Sequence, residues 1–592
     1  MDFHDQFDGD EEAALRYAIA LSLRDVNASA NPSTSQNPIE LDSDGDEEND
    51  LENGPKCPPT PKKSAPVPEE SVDEVASTTS RAPPLPRVTS EGNQTSGLAA
   101  LGLDRKQMEA ERLARAAKRK APPDVEFTGR HPQRVKLDSH TNAVPLATAS
   151  HASTASSSIL PYPKGIVRKT WVSGYPRQGD IKIEEILQKE QLELAVLSSF
   201  QWDDEWLLSK IDIKKTKMVC IAFASGEDQR EEMRANVPKD RIRFCFPPMM
   251  PAGSMHSKLQ LLKFPGYLRI VIPTGNLVPY DWGETGVMEN MVFLIDLPMT
   301  KNSANQMTMF GEELCYFLKA SGLDESLIDS LSKYDFSETR QYRFVHTIGQ
   351  THVGEKWKRT GYCGLGRAVE SLGLGTTSEV ELDFVVASLG SVNNDLISAI
   401  YNAAQGDNGL REYEKRTATS GKKKKTDQKT QPSYQPGSFR IYFPSHETVS
   451  QSRGGKNNGG TICLQSKWWN SPTFPRELVY DCKSVRPGLL MHSKVLFARH
   501  SGHGKSQTSW AYLGSANLSE SAWGRLVKDR ASGQPKLNCR NWECGVLIPV
   551  DGEAANSGLG AFEKKIPVPM VVPGEAYCKD NATKRPWFFL EA

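Results

Sequence analysis

The sequence predicts an α/β protein of two similar halves that share one composite site, preceded by a disordered N-terminal tail. Three observations carry this. The tetrapeptide Met-His-Ser-Lys occurs twice, at 255–258 and 491–494. Strand-like runs alternate with helix-like ones around both copies, as in a duplicated α/β layer. Composition also changes near residue 160: what precedes is mostly Ser, Thr, Pro, Ala and charge, too poor in apolar residues to bury a core.

Over 592 residues the hydrophobic fraction is 38% and the mean hydropathy −0.51, low for a wholly folded chain. The net charge of −1 hides an asymmetry. Residues 1–55 carry 15 acidic and 2 basic side chains, net −13, which leaves +12 on residues 56–592. An acidic arm on a basic body suits a polyanion-binding enzyme with a separate interaction segment. The ten cysteines include no C-x-x-C pair, which argues against a zinc module or a disulfide framework and for reduced thiols in an intracellular protein. The acidic start lacks the apolar core of a signal peptide. No apolar run approaches the roughly 18 residues that would span a membrane, so a soluble chain is expected.

The tail, residues 1–160, holds three islands. Within 10–25, Glu11-Glu12 precede Leu15, Ala18, Ile19 and Ser22, a helical stripe behind an acidic start. It resembles a ubiquitin-interacting motif, with those four residues as the ubiquitin contacts. Within 38–48, Ile39-Glu40-Leu41-Asp42-Ser43-Asp44 resembles a SUMO-interacting motif, an apolar strand with acid alongside; Ser43 also resembles an acidophilic kinase site. The third, 105–136, contains Lys118-Arg119-Lys120 and predicts nuclear localisation.

Folded sequence is expected from Pro161, as one α/β domain over 161–350 and a second over 351–592. In order, the pattern predicts a helix over Ile183–Phe200, a buried strand over Met218–Phe223, and strands Leu259–Leu262 and Leu268–Ile272 beside the first cassette. Helices are expected around Glu312–Lys319 and Leu327–Leu331. The second half opens on a Gly-rich run (Gly361, Gly364, Gly366), followed by a helix near Arg367–Leu372 and the strand Phe384–Ala387. A Lys-rich insert over 411–437, with Lys422–Lys425, reads as a disordered surface loop able to add non-specific phosphate affinity.

Residues i and i+2 of a strand face one side, so His256 would project with Lys258, and His492 with Lys494. Each cassette closes on a small-residue turn bearing an Asn, Asn276 and Asn517, respectively 18 and 23 residues after its Lys. Phosphodiester cleavage needs a nucleophile, a proton donor for the leaving oxygen and positive charge on the phosphoryl oxygens. Two histidines can divide the first two tasks; two lysines and two Asn amides supply the third. No metal or other cofactor is needed, and no metal-ligand cluster stands out.

MHSK…PTGNLVPYDW together with MHSK…LGSANLSESAWG resembles the phospholipase D superfamily, and within it the tyrosyl-DNA phosphodiesterase 1 family. The lipid-cleaving pattern is H-x-K-x4-D. Here Lys263 and Arg499 stand where that Asp would be, which disfavours lipid hydrolysis. The resemblance covers roughly 160–592, including Arg540-Asn541-Trp542-Glu543-Cys544-Gly545-Val546 and Arg585-Pro586-Trp587. It implies hydrolysis of 3′-phosphotyrosyl DNA left by topoisomerase I, with other 3′ adducts as further substrates, in DNA repair in the nucleus by a monomeric enzyme. It implies His256 as nucleophile, His492 as proton donor and then acceptor, and Lys258, Lys494, Asn276 and Asn517 around the phosphoryl oxygens. Glu543 would orient one of the histidines, and Ser388 and Ser391 would donate to the DNA backbone. Two departures stand out. The family's aromatic four residues before the nucleophile is Ala252 here, and the Gln that partners the second site is not evident, with Glu289 the best alignment and Asn290 the other. The reading from a different class is a catalytically inactive scaffold of the same fold that binds nucleic acid, against which both His-x-Lys pairs and both Asn residues stand intact.

Overall fold

Two seven-stranded sheets are laid down one after the other along the chain, and both follow the same plan. The computed structural model describes residues 160–300, 306–420, 433–500, 509–550, 558–577 and 584–589, all within one compact unit. The first sheet uses Ile166–Lys169 (β1), Leu194–Ser198 (β2), Lys217–Ile221 (β3), Ile242–Cys245 (β4), Leu259–Phe264 (β5), Tyr267–Pro273 (β6) and Met291–Pro298 (β7), in the spatial order β1-β7-β6-β5-β2-β3-β4. The second uses Arg343–Thr347 (β8), Val380–Val385 (β9), Phe439–Tyr442 (β10), Val479–Tyr480 (β11), Val495–His500 (β12), Ser509–Gly514 (β13) and Glu543–Val550 (β14), in the order β8-β14-β13-β12-β9-β10-β11. Position for position the two orders correspond. So do the directions: β2, β3 and β4 run parallel, as do β9, β10 and β11, while every other neighbour is antiparallel. Since β8 begins at Arg343, the sheets divide ahead of that residue rather than at 350.

The sheets pack face to face. Along β5, Leu259 and Leu261 enter a core shared with Val495, Phe497, Leu513 and Val546 of the second sheet, while Leu262 and Phe264 point outward beneath the helices of the first half. Along β12, Leu496 and Ala498 face the outer core of the second half. This is the period-2 alternation of strands covered on both faces. Burying that surface is the main force holding the sheets together.

Three expectations need correcting. The helix that begins at Ile183 ends at Leu187, where Gln188 takes a left-handed φ of +41°, and β2 occupies part of the remainder. A short apolar run such as Leu194–Leu197 has no period that separates a buried strand from a helix. The second helix is also longer than expected, Gly361–Ser371, and contains the Gly-rich run. The insert is shorter: Leu410–Ser420 is helical, with Tyr413 buried in the second-half core. Lys422–Lys425, the ubiquitin-motif residues Leu15, Ala18, Ile19 and Ser22, the SUMO-motif segment and the basic segment 105–136 lie outside the described residues.

Candidate active site

His256–Lys258 and His492–Lys494 are not on strands, as the spacing suggests, but in three-residue extended segments immediately before β5 and β12. Each segment is tied to the opposite half. His256 N–H donates to Trp542 O at 3.0 Å, and His492 N–H to Glu289 O at 3.2 Å. The second tie belongs to a two-stranded parallel ribbon in which Met288–Glu289 pairs with Leu490–Met491. The cassettes therefore meet where the sheets abut, and each completes the other.

Both histidines are buried and each meets one carboxylate. His256 Nδ1 lies 2.9 Å from Glu543 Oε2, and His492 Nδ1 lies 3.1 Å from Asp281 Oδ2. Each carboxylate again comes from the opposite half. Burial lowers both imidazoles to about 4, against the pull of the carboxylate, with Lys258 adding to the lowering at His256 and Lys494 at His492. Burial pushes Glu543 and Asp281 up, but the charges and hydrogen bonds around them outweigh it and hold both carboxyls below their ordinary values. Each pair is thus a neutral ring against a carboxylate. An ionised carboxylate can only accept, so Nδ1 carries the proton and Nε2 keeps its lone pair.

Lys258 Nζ donates to His256 O at 2.8 Å and Lys494 Nζ to His492 O at 2.6 Å. Burial, and then the charge of Lys258, pull the Lys494 ammonium well below its ordinary value. A bound anion would relieve that repulsion, so the site is electrostatically prepared for an anion. The two Asn side chains are oriented alike. Asn517 Oδ1 accepts from the Ala387 and Ser388 N–H groups at 3.1 and 3.0 Å, and Asn276 Oδ1 from the Gln201 N–H at 3.4 Å. Gln201 Oε1 also accepts from Asn276 Nδ2 and from the Tyr280 hydroxyl. The cavity over His256 is lined by Ser388, Gln465, Trp468, Asn517, Ser519 and Phe589; Ser391 is exposed outside that lining. Among the described residues, no three His, Cys, Asp or Glu side chains gather as a metal site.

Glu289 does not partner His492. Its carboxylate bonds Ser484 and Arg486 on the far side of the ribbon, and Asp281, five residues after Asn276, fills the expected place. Asn290 touches Asp281, not the histidine. Sequence reasoning missed Asp281 although it lies inside the first cassette, because a turn residue shows no periodicity. It also missed Phe200. At the turn before His256, Ala252 carries a φ of +55°, and the ring beside the histidine is Phe200, 5.3 Å between centroids. Lys263 and Arg499 are spent elsewhere, on Glu193 and on Glu381 and Asp383.

Duplicated sheets and paired His-x-Lys segments define a protein of the phospholipase D-like class. The family model described as tyrosyl-DNA phosphodiesterase matches residues 166–578. Tyrosyl-DNA phosphodiesterase 1 of Arabidopsis thaliana is 23% identical over 438 residues, 68% of this chain and 64% of that protein. The Drosophila melanogaster protein of the same name is 25% identical over 430 residues, 68% of this chain and 69% of its own length. The chain thus spans just under two thirds of the Arabidopsis protein. The crystal structure of yeast tyrosyl-DNA phosphodiesterase superposes with a TM-score of 0.50 at 18% identity, covering 72% of this chain and all of that one; a mutant of the yeast protein gives 0.52. The chain belongs to the tyrosyl-DNA phosphodiesterase family.

Proposed function

We propose that this protein hydrolyses the phosphodiester joining a DNA 3′ end to tyrosine, in two steps through a phosphohistidine. The observation that carries the reading is the pair of buried His–carboxylate couples, one from each half, with both lysines beside them. His256 Nε2 attacks phosphorus: an N–P bond forms, the phenolic O–P bond breaks, and His492 gives a proton to the departing oxygen. His492 is neutral in the empty site, and the negative charge of the bound phosphodiester favours the protonation this step needs. Water then attacks phosphorus as His492 takes its proton, the N–P bond breaks, and a 3′-phosphate leaves. Lys258, Lys494, Asn276 and Asn517 hold the phosphoryl oxygens, while Glu543 and Asp281 fix the two rings. Ser388 lines the cavity over His256, and its part in this reading is to donate to the DNA backbone. The proposal extends to topoisomerase I as the source of the adduct, other 3′ adducts as substrates, a monomeric enzyme in the nucleus, and a tail that recruits it through ubiquitin and SUMO.

Cleavage of a 3′-phosphotyrosyl oligonucleotide in excess EDTA, with wild type and His492→Ala side by side, tests the chemistry. The expected result is tyrosine release by wild type and a covalent DNA–protein adduct accumulating in the variant. No cleavage with DNA binding retained would make the protein a nucleic-acid-binding scaffold instead.

A further inference from the structure

The two half-sites are mates in backbone detail but not in side chains. Thr274 N–H donates to Met291 O, as Ser515 N–H does to Cys544 O, both at 2.9 Å. The Thr274 and Ser515 hydroxyls each accept from the next strand, at 3.0 Å from Met291 N and from Cys544 N. In that register Asn290 is the mate of Glu543. The Ser515 hydroxyl donates to Glu543, and the Thr274 hydroxyl donates to Asn290 Oδ1 at 2.8 Å. Glu543 reaches its histidine directly. Asn290, one methylene shorter, instead spends its Nδ2 on Asp281, at 2.9 Å from the carbonyl O and 3.1 Å from Oδ1.

Asp281 lies in a turn, so its carboxylate takes its direction from what it bonds. Asn290 holds Oδ1; Oδ2 accepts from the Asn276 N–H at 2.6 Å and faces His492. All of these groups are buried. An amide stands where the other half has its carboxylate, and the carboxylate that meets His492 is borrowed from the turn and aimed by that amide.

We infer that Asn290 is a positioning residue for the hydrolytic half of the reaction: it aims Asp281 at His492, and its loss slows breakdown of the covalent intermediate more than its formation. This rests on the two-step reading above. The two steps ask different things of His492. In the first it assists departure of a phenolate, whose conjugate acid has a pKa near 10. In the second it must take a proton from water, whose pKa is about 15.7, so the second step depends more on a well-supported base. The other charged groups that act on His492 are Lys494 and Lys258, and both oppose its protonation. Glu289 adjoins it only through the backbone, with its carboxylate engaged by Arg486. Asp281 is therefore the group that favours the imidazolium, and letting it turn away makes His492 a weaker base.

Single-turnover cleavage of a 3′-phosphotyrosyl oligonucleotide, with tyrosine and the DNA–protein adduct followed separately, tests this in wild type and Asn290→Ala. Asn290→Leu, nearly isosteric and equally without a donor, carries the test should the alanine variant not fold. General-base assistance is worth about 10²–10⁴-fold in rate, and mis-aiming its partner should forfeit about tenfold of it. The expected result is adduct accumulation, adduct hydrolysis slowed about tenfold or more, first-turnover tyrosine release slowed less than about threefold, and the acidic limb of the hydrolysis profile moved to lower pH. Equal slowing of both steps, or an unmoved limb, would overturn the inference and leave Asn290 a packing residue. An inactive wild type would overturn the proposed function itself, which is a separate outcome.

Discussion

Glu543 shows how much of this site depends on single side chains. It bonds Nδ1 of His256 from a strand that begins 287 residues later in the chain, and it fixes the tautomer that leaves the Nε2 lone pair free. Glu543→Gln keeps the shape but can present an N–H to that nitrogen, which favours the wrong tautomer. The expected outcome is a fall in kcat of about 10²–10⁴-fold, with DNA affinity within about threefold of wild type, measured by steady-state cleavage and by anisotropy. The four His and Lys residues were legible because one tetrapeptide carries each pair, and the Asn residues because each ends its cassette. Asp281 and the true position of Glu289 were not. Along the short ribbon successive side chains alternate sides, so Glu289 turns to Arg486 and Asn290 to the site, and no spacing in the sequence says which of two neighbours faces inward.

Among the elements, the helix Gly361–Ser371 is where local propensity misleads most. Three glycines in its first two turns argue against a helix, since each costs about 1 kcal/mol relative to alanine. Packing overrides that preference. A Cβ on Gly361 would overlap the Trp523 carbonyl, one on Gly364 the Arg359 carbonyl and one on Gly366 the Asp407 carbonyl. The glycines let backbone approach backbone, and for Gly361 and Gly366 the neighbours that reveal the need, Trp523 and Asp407, come from distant parts of the chain. Gly366→Ala should therefore destabilise rather than stabilise, by about 1–3 kcal/mol or more, seen as a lower Tm in calorimetry with kcat of the surviving folded fraction unchanged. The strands of the cassettes were legible for the opposite reason: in Leu259–Phe264 the apolar residues Leu259, Leu261, Leu262 and Phe264 fall on both faces because both faces are covered.

For the molecule as a whole, the duplicated plan was readable from the repeated tetrapeptide, whereas the face-to-face packing that joins the sheets was not, since it depends on contacts between strands far apart in sequence. That packing buries two histidines at the seam, and burial has a cost in acid. In the unfolded chain a histidine titrates near 6.5, while both of these are lowered to about 4 in the fold. Between those values the unfolded chain binds more protons, so stability falls as pH drops from about 6.5 to about 4. Thermal unfolding across that range should show a declining Tm, and His256→Gln with His492→Gln should flatten the part of the decline the pair contributes. An unchanged slope in the double variant would mean that the two rings are not buried neutral.

The exchange of carboxylates between the halves also sets an order in time. A ribosome delivers the chain from its N-terminus, so His256 is made long before Glu543, the carboxylate its ring meets. Until then the His256 ring has no carboxylate beside it, and before residue 492 is made it has no second histidine either. The composite site is therefore complete only once the strand Glu543–Val550, which brings Glu543 to His256, has been made.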